Sequence, residues 1–153
     1  EDELVSLEKA VIQTCHDLFR LKVELVSDNY SGEDFASGKV LCYRLNYHRQ
    51  DGNPRRVVLI YEDQVVFKLI GDLLGKRVDR VDKTIVEAMK LISQKFMGCM
   101  ESHFAREDGD KLEKINTLTF EQVVRAFEFD KQYPPYSLLF CTEKGDYFAM
   151  CIK

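Results

Sequence analysis

Apolar residues at Leu4, Leu7, Val11, Cys15 and Leu18 recur at intervals of three and four, with Val5, Ile12 and Phe19 beside them. This spacing predicts an amphipathic helix over residues 3–20 with one face on a sheet. Residues 22–27 alternate with the two-residue period of a strand, and 29–38, rich in Ser, Gly and Asp, reads as a loop. Two runs rich in Val, Ile, Leu and Tyr, 40–47 and 55–61, flank Gln50-Asp51-Gly52-Asn53-Pro54 and predict an antiparallel hairpin. From Glu62 to Leu74 the apolar positions (Val65, Val66, Leu69, Ile70, Leu73, Leu74) take helical spacing, and Gly75 is placed to cap the helix. A longer central helix from 83 to 105 has Ile85, Met89, Ile92, Phe96, Met100 and Phe104 as its inward stripe.

The segment after Thr119 fits two readings, because Phe120, Val123, Val124 and Phe127 have helical spacing but strand-like composition. Residues 136–142 and 147–152 predict a closing hairpin. A two-residue Lys144-Gly145 loop would set Phe148 opposite Cys141 and Leu138 opposite Cys151. Leu138, Phe140, Ala149 and Cys151 would then share one face, with Leu139, Cys141, Phe148, Met150 and Ile152 on the other. Two apolar faces ask for cover on both sides, one from the helices and the other from a second subunit or the chain's own loops. The expected fold class is α+β, a single domain over residues 1–153: an antiparallel sheet of about six strands with two long helices packed on one face.

Composition adds limits. With 153 residues, 45% hydrophobic and 31% charged, the chain is ordinary for one globular domain. No apolar run approaches the ~20 residues that span a bilayer. Acidic Glu1, Asp2 and Glu3 stand where a secretory leader would be basic, and the expected location is cytoplasmic, although the lack of an initiator Met suggests a trimmed or partial chain. Five scattered cysteines (Cys15, Cys42, Cys99, Cys141, Cys151), without a CxxC pair, predict free and mostly buried thiols. The net charge of −4 is uneven: residues 1–38 hold nine acids and three bases, and 39–80 hold nine bases and five acids. A local basic patch on an acidic molecule suits a local acidic partner better than a nucleic-acid backbone.

Catalytic motifs are sparse. His16, His48 and His103 share no metal-ligand spacing, and His103 falls on the inward stripe as a packing residue. There is no GxSxG, Walker A loop or GxGxxG. Basic residues interleaved with aromatics (Tyr43, Arg44, Tyr47, His48, Arg49, Arg55, Arg56) read either as a surface for an acidic ligand or a single strand of nucleic acid or, preferably, as a sheet surface with a charged hairpin tip. On a ~100° step per residue, Glu87, Leu91, Gln94 and Gly98 form one strip of the central helix, opposite Ile85, Ile92 and Phe96. An exposed Leu91 beside Gln94 and Gly98, flanked by Lys90 and Lys95, reads as a contact surface for another protein.

Three stretches carry a family resemblance: Val57-Val58-Leu59-Ile60-Tyr61-Glu62-Asp63, then Leu69-Ile70-Gly71-Asp72-Leu73-Leu74-Gly75-Lys76, then Asp82 through Ala88 to Phe96-Met97-Gly98. In this order they resemble the CheX branch of the CheC-like chemotaxis phosphatases, over roughly residues 4 to 104. The resemblance implies a CheC/CheX-like sheet, a homodimer, a response-regulator receiver domain as partner, and no cofactor beyond the Mg²⁺ of a phosphorylated receiver. It also implies a Glu and, three residues later, an Asn on the long helix ahead of the Gly. Counted back from Gly98, those positions are Leu91 and Gln94.

A neutral amide can still hold a water in line with phosphorus, as Gln does in the separate CheZ phosphatases. A leucine cannot pair with the receiver's lysine. Glu87, one turn earlier, could replace it only if the partner docked about 6 Å along the helix. Two functions from different classes follow. The preferred one is a CheX-like binding or dimerisation module without hydrolysis, with Leu91, Gln94, Lys90, Lys95 and Gly98 on its face. The alternative is an active aspartyl-phosphate phosphatase with Gln94 positioning the water.

Overall fold

The computed structural model describes residues 2–29, 39–48, 55–100, 111–119, 121–123, 125 and 136–152. In chain order the elements are α1 (Asp2–Phe19), β1 (Val23–Ser27), β2 (Val40–His48), β3 (Arg55–Glu62), α2 (Asp63–Leu74), α3 (Lys83–Cys99), β4 (Lys111–Leu118), β5 (Tyr136–Thr142) and β6 (Tyr147–Ile152). The six strands form one sheet in the order β1-β5-β6-β3-β2-β4, with every neighbouring pair antiparallel. This is the expected α+β class. The two long helices are α1 and α3, and α2 joins them on the same side.

Alternation sorts the strand residues. Tyr43, Leu45 and Tyr47 of β2, Val57, Leu59 and Tyr61 of β3, and Leu138 and Phe140 of β5 bury their side chains in the core shared with the helices. A row of rings runs across four adjacent strands in that core: Phe140 stacks on Phe148 at 5.1 Å, Phe148 on Tyr61 at 6.4 Å, and Tyr61 meets Tyr43 edge-on at 6.4 Å. Behind the sheet, Cys42, Ile60, Leu139, Ala149 and Cys151 form a smaller cluster with Val123.

The closing hairpin departs from the expected register. Gly145 sits at φ 85 and donates its N–H to the Thr142 carbonyl at 3.0 Å, while Thr142 N–H reaches the Asp146 carbonyl at 2.8 Å. Only glycine takes that backbone conformation without cost, so the loop is the three residues 143–145, closed by Thr142 and Asp146, and the strands shift by one residue. Phe140 pairs with Phe148, Leu138 with Met150 and Ser137 with Cys151. Phe148, Met150 and Ile152 therefore lie with Leu138 and Phe140 under the helices, and Ala149 and Cys151 lie with Leu139 behind. The hairpin is also internal to the sheet, and its rear residues Leu139, Ala149 and Cys151 are buried within the single chain. That removes the physical argument for a two-fold contact on this hairpin.

Strand β4 was not foreseen. Its apolar residues Leu112, Ile115 and Leu118 come every third position: the ladder with β2 skips from Asn46↔Lys114 to Tyr47↔Leu112 between the first two, and Leu118 packs on the rear face. A bulge at Glu113 puts both Leu112 and Ile115 on the helix side, which hides the two-residue period. The ambiguous segment after it begins as a helix: Thr119 Oγ1 accepts from Gln122 N–H at 3.2 Å and Gln122 Oε1 accepts from Thr119 N–H at 2.8 Å, a reciprocal capping box. Residues 101–105 of the expected central helix, with His103 and Phe104, lie outside the described residues, as do the 50–54 turn and most of the 29–38 loop.

Candidate partner-binding face

Helix α3 is seated by its sequence. Asp82 caps its first turn by accepting from Ile85 N–H at 2.9 Å. Two tyrosines of the sheet then fix its rotation: Tyr43 OH donates to the Val86 carbonyl at 2.6 Å, and Tyr61 OH meets Ser93 Oγ at 2.9 Å. Ser93, Ile85, Met89, Phe96 and Met97 are buried as a result. Burial pushes both tyrosine hydroxyls well above their ordinary pKa, and like-charge neighbours raise Tyr43 further. Both stay protonated at neutral pH.

The remaining arc of α3 faces water. Glu87, Leu91, Gln94, Lys95 and Gly98 are exposed and Lys90 is half-buried, which is the arrangement the helical spacing predicted. Leu91 is 68% exposed, and a Cβ built on Gly98 would meet nothing within 4 Å. The strip is therefore open to a partner along its length.

A feature absent from the sequence reading lies next to it. Leu73 and Leu74 share the helical spacing of the apolar positions of α2, yet they are 68% and 53% exposed, and the buried stripe of the helix ends at Ile70. Leu73, Leu91, Ile92, Leu18 and Phe19 line a groove of about 450 Å³ between α1, α2 and α3. Phe19 stacks on Phe96 at 5.8 Å and forms its floor. Only the meeting of three helices creates this groove, so no local pattern announces it.

Acid–base chemistry is thin around it. Among the described residues no three His, Cys, Asp or Glu groups come together as metal ligands. His16 is exposed beside Asp17 at 3.2 Å, and His48 is exposed at the end of β2. All five thiols are free; burial pushes Cys15, Cys42 and Cys151 up to about 12, so these three are unreactive thiols at neutral pH. Glu62 is held above its ordinary value by burial, partly offset by the hydrogen bond it accepts from Tyr147 N–H at 2.7 Å, and it joins β3 to β6. In the 43–56 surface, Tyr43 and Tyr47 are buried under the helices, so they do not interleave with Arg44, Arg55 and Arg56 as a stacking platform. Arg49 lies outside the described residues. Among the described residues, no helix is long and apolar enough to cross a membrane.

One antiparallel sheet with three helices on one side and the long third helix open to solvent is the CheC/CheX fold. The chain superimposes on CheX from Vibrio vulnificus with a TM-score of 0.66 at 10% identity, covering 100% of this chain and 97% of that one. CheX from Desulfovibrio desulfuricans gives 0.64 at 8% identity over 100% and 99% of the two chains. CheX from Borrelia burgdorferi, in a complex with CheY, BeF3 and Mg²⁺, gives 0.61 at 9% identity over 94% and 92%. No family model matches the sequence, and no curated protein matches it. At these identities the likeness is one of fold.

Proposed function

We propose that this chain is a CheX-like signalling module that binds the receiver domain of a response regulator through the Leu91–Gln94 face of α3 and does not hydrolyse its phosphoaspartate. The observation that carries the reading is Leu91, 68% exposed at the position to which the resemblance assigns the family's Glu. A leucine there supplies apolar contact and no charge for a partner's lysine. Support for the partner class comes from the fold shared with the Borrelia burgdorferi CheX that forms a complex with CheY. Lys90, Lys95 and Gly98 flank the contact, and Mg²⁺ enters only with the phosphorylated partner.

Gln94 favours a second reading. It is exposed on the same strip, three residues after Leu91, where an amide can position the attacking water. Glu87 stands one turn away and reaches a receiver's lysine only in a shifted docking pose.

The test is phosphate loss from phosphorylated receiver domains of the same organism, with and without the protein, alongside binding of the BeF3/Mg²⁺-loaded receivers. Binding without acceleration is expected. Acceleration that disappears in Gln94→Ala establishes the phosphatase instead, and no binding to any receiver rejects both readings.

A cytoplasmic homodimer completes the proposal. With the closing hairpin covered within the chain, dimerisation rests on the family resemblance alone. Light scattering at micromolar concentration is expected to give twice the chain mass; a monomeric mass rejects it.

A further inference from the structure

On a chain of net charge −4, one concavity gathers five cations. It has a volume of about 890 Å³ and is lined from the ends of α1 and α2 and from the β5–β6 turn, without any residue of α3. Arg20 follows α1, Lys68 lies on α2, Lys76 and Arg77 follow α2, and Lys144 comes from the turn. Asp72 and Asp146 are the carboxylates of the lining. Lys68 engages Asp72 at 3.3 Å. Among the described residues, Arg20, Lys76, Arg77 and Lys144 stand in no ion pair. Lys76, Arg77 and Lys144 are thus uncommitted, and Arg20 acts only at longer range on the exposed Asp17 carboxylate, while Asp146 is the one lining carboxylate without an ion pair among the described residues. The two helix C-termini attract positive charge, but that field falls off within a turn and does not call for a lysine from the distant β5–β6 turn.

Arg20 adds an independent observation. Its φ is 54, in the left-handed region, where its N–H returns to the His16 carbonyl at 3.0 Å and ends α1. Glycine is the usual choice at that position, and an L-residue there is strained. Strain of this kind persists where a side chain is needed at a fixed place. Arg20 lines this recess and also the neighbouring apolar groove.

We propose that the recess binds a small ligand with adjacent phosphate groups, either free diphosphate or a nucleoside diphosphate. The planar forks of Arg20 and Arg77 suit phosphate oxygens, and the ammonium groups of Lys76 and Lys144 balance the remaining charge. Phe19 and Phe67 give the recess an apolar wall on which a base can lie.

The experiment is an NMR titration of the whole chain with pyrophosphate, ADP and adenosine. Pyrophosphate is expected to move the amides of Gly71, Gly75, Lys76 and Gly145 with a Kd of about 1 mM or tighter. ADP is expected to move the same amides and adenosine none; equal affinities for ADP and pyrophosphate identify free diphosphate as the ligand, and tighter ADP identifies the nucleoside diphosphate. Arg20→Gly removes the guanidinium and relieves the positive φ, so Kd should rise at least about tenfold while the thermal midpoint holds or climbs. Unmoved amides at about 20 mM pyrophosphate, or shifts scattered over surface lysines, would overturn the proposal. So would unchanged affinity in Arg20→Gly, or adenosine acting as ADP does.

Discussion

Phe140→Ala is expected to cost about 3–5 kcal/mol of unfolding free energy, the largest stability loss from one truncation in this chain. Phe140 is fully buried on an internal strand and stacks on Phe148 at 5.1 Å with an interplanar angle of 14°. It heads the row of rings that continues through Tyr61 to Tyr43, and those two tyrosines hold α3. Removing it opens a cavity in the core shared with the helices, where flanking strands on both sides block collapse. Since domains of this size are stable by roughly 5–15 kcal/mol, the variant should lose about a fifth of its stability or more. Urea titration followed by circular dichroism reads the shift in midpoint. Val123→Ala in the smaller rear cluster should lose clearly less; equal losses would show that the two faces carry similar weight.

That prediction uses a register the sequence did not disclose. Both strands of the closing hairpin were legible from composition, and so was the turn between them. The face each residue takes depended on whether two or three residues make the loop, and the backbone of Gly145 decided it. Strand β4 was illegible for a related reason: the bulge at Glu113 broke the two-residue period between Leu112 and Ile115, and Leu118 belongs to the opposite face. By contrast, the exposed arc of α3 could be read directly, because a helix of 17 residues repeats its burial stripe often enough to fix its rotation. The groove beside it needed three helices brought together, and Leu73, apolar and helically spaced, looked like one more core residue. Nothing local could report the positive φ of Arg20.

Leu91→Lys is expected to weaken receiver binding by tenfold or more, equivalent to about 1.4 kcal/mol or above, with little change in stability. The side chain is 68% exposed, so its replacement by another good helix former should shift unfolding by no more than about 0.5 kcal/mol. The new ammonium would stand beside Lys90 and Lys95 and oppose the lysine of a docked receiver. Titration calorimetry with a BeF3/Mg²⁺-loaded receiver measures the effect. Affinity unchanged by Leu91→Lys would move the interface away from this strip, while a parallel fall in thermal midpoint would mark Leu91 as a packing residue.

The position of the closing hairpin also governs when the molecule can fold. β5 and β6 occupy interior positions of the sheet although they come last among its elements, and β1 has no strand partner until β5 arrives more than a hundred residues later. During synthesis β2 and β3 can pair early, but the edge of β3 that β6 will occupy stays bare, with its amides and carbonyls exposed. Completion of the sheet is therefore a late event dominated by distant pairings, which slows folding and leaves a strand edge open to other chains in the interval.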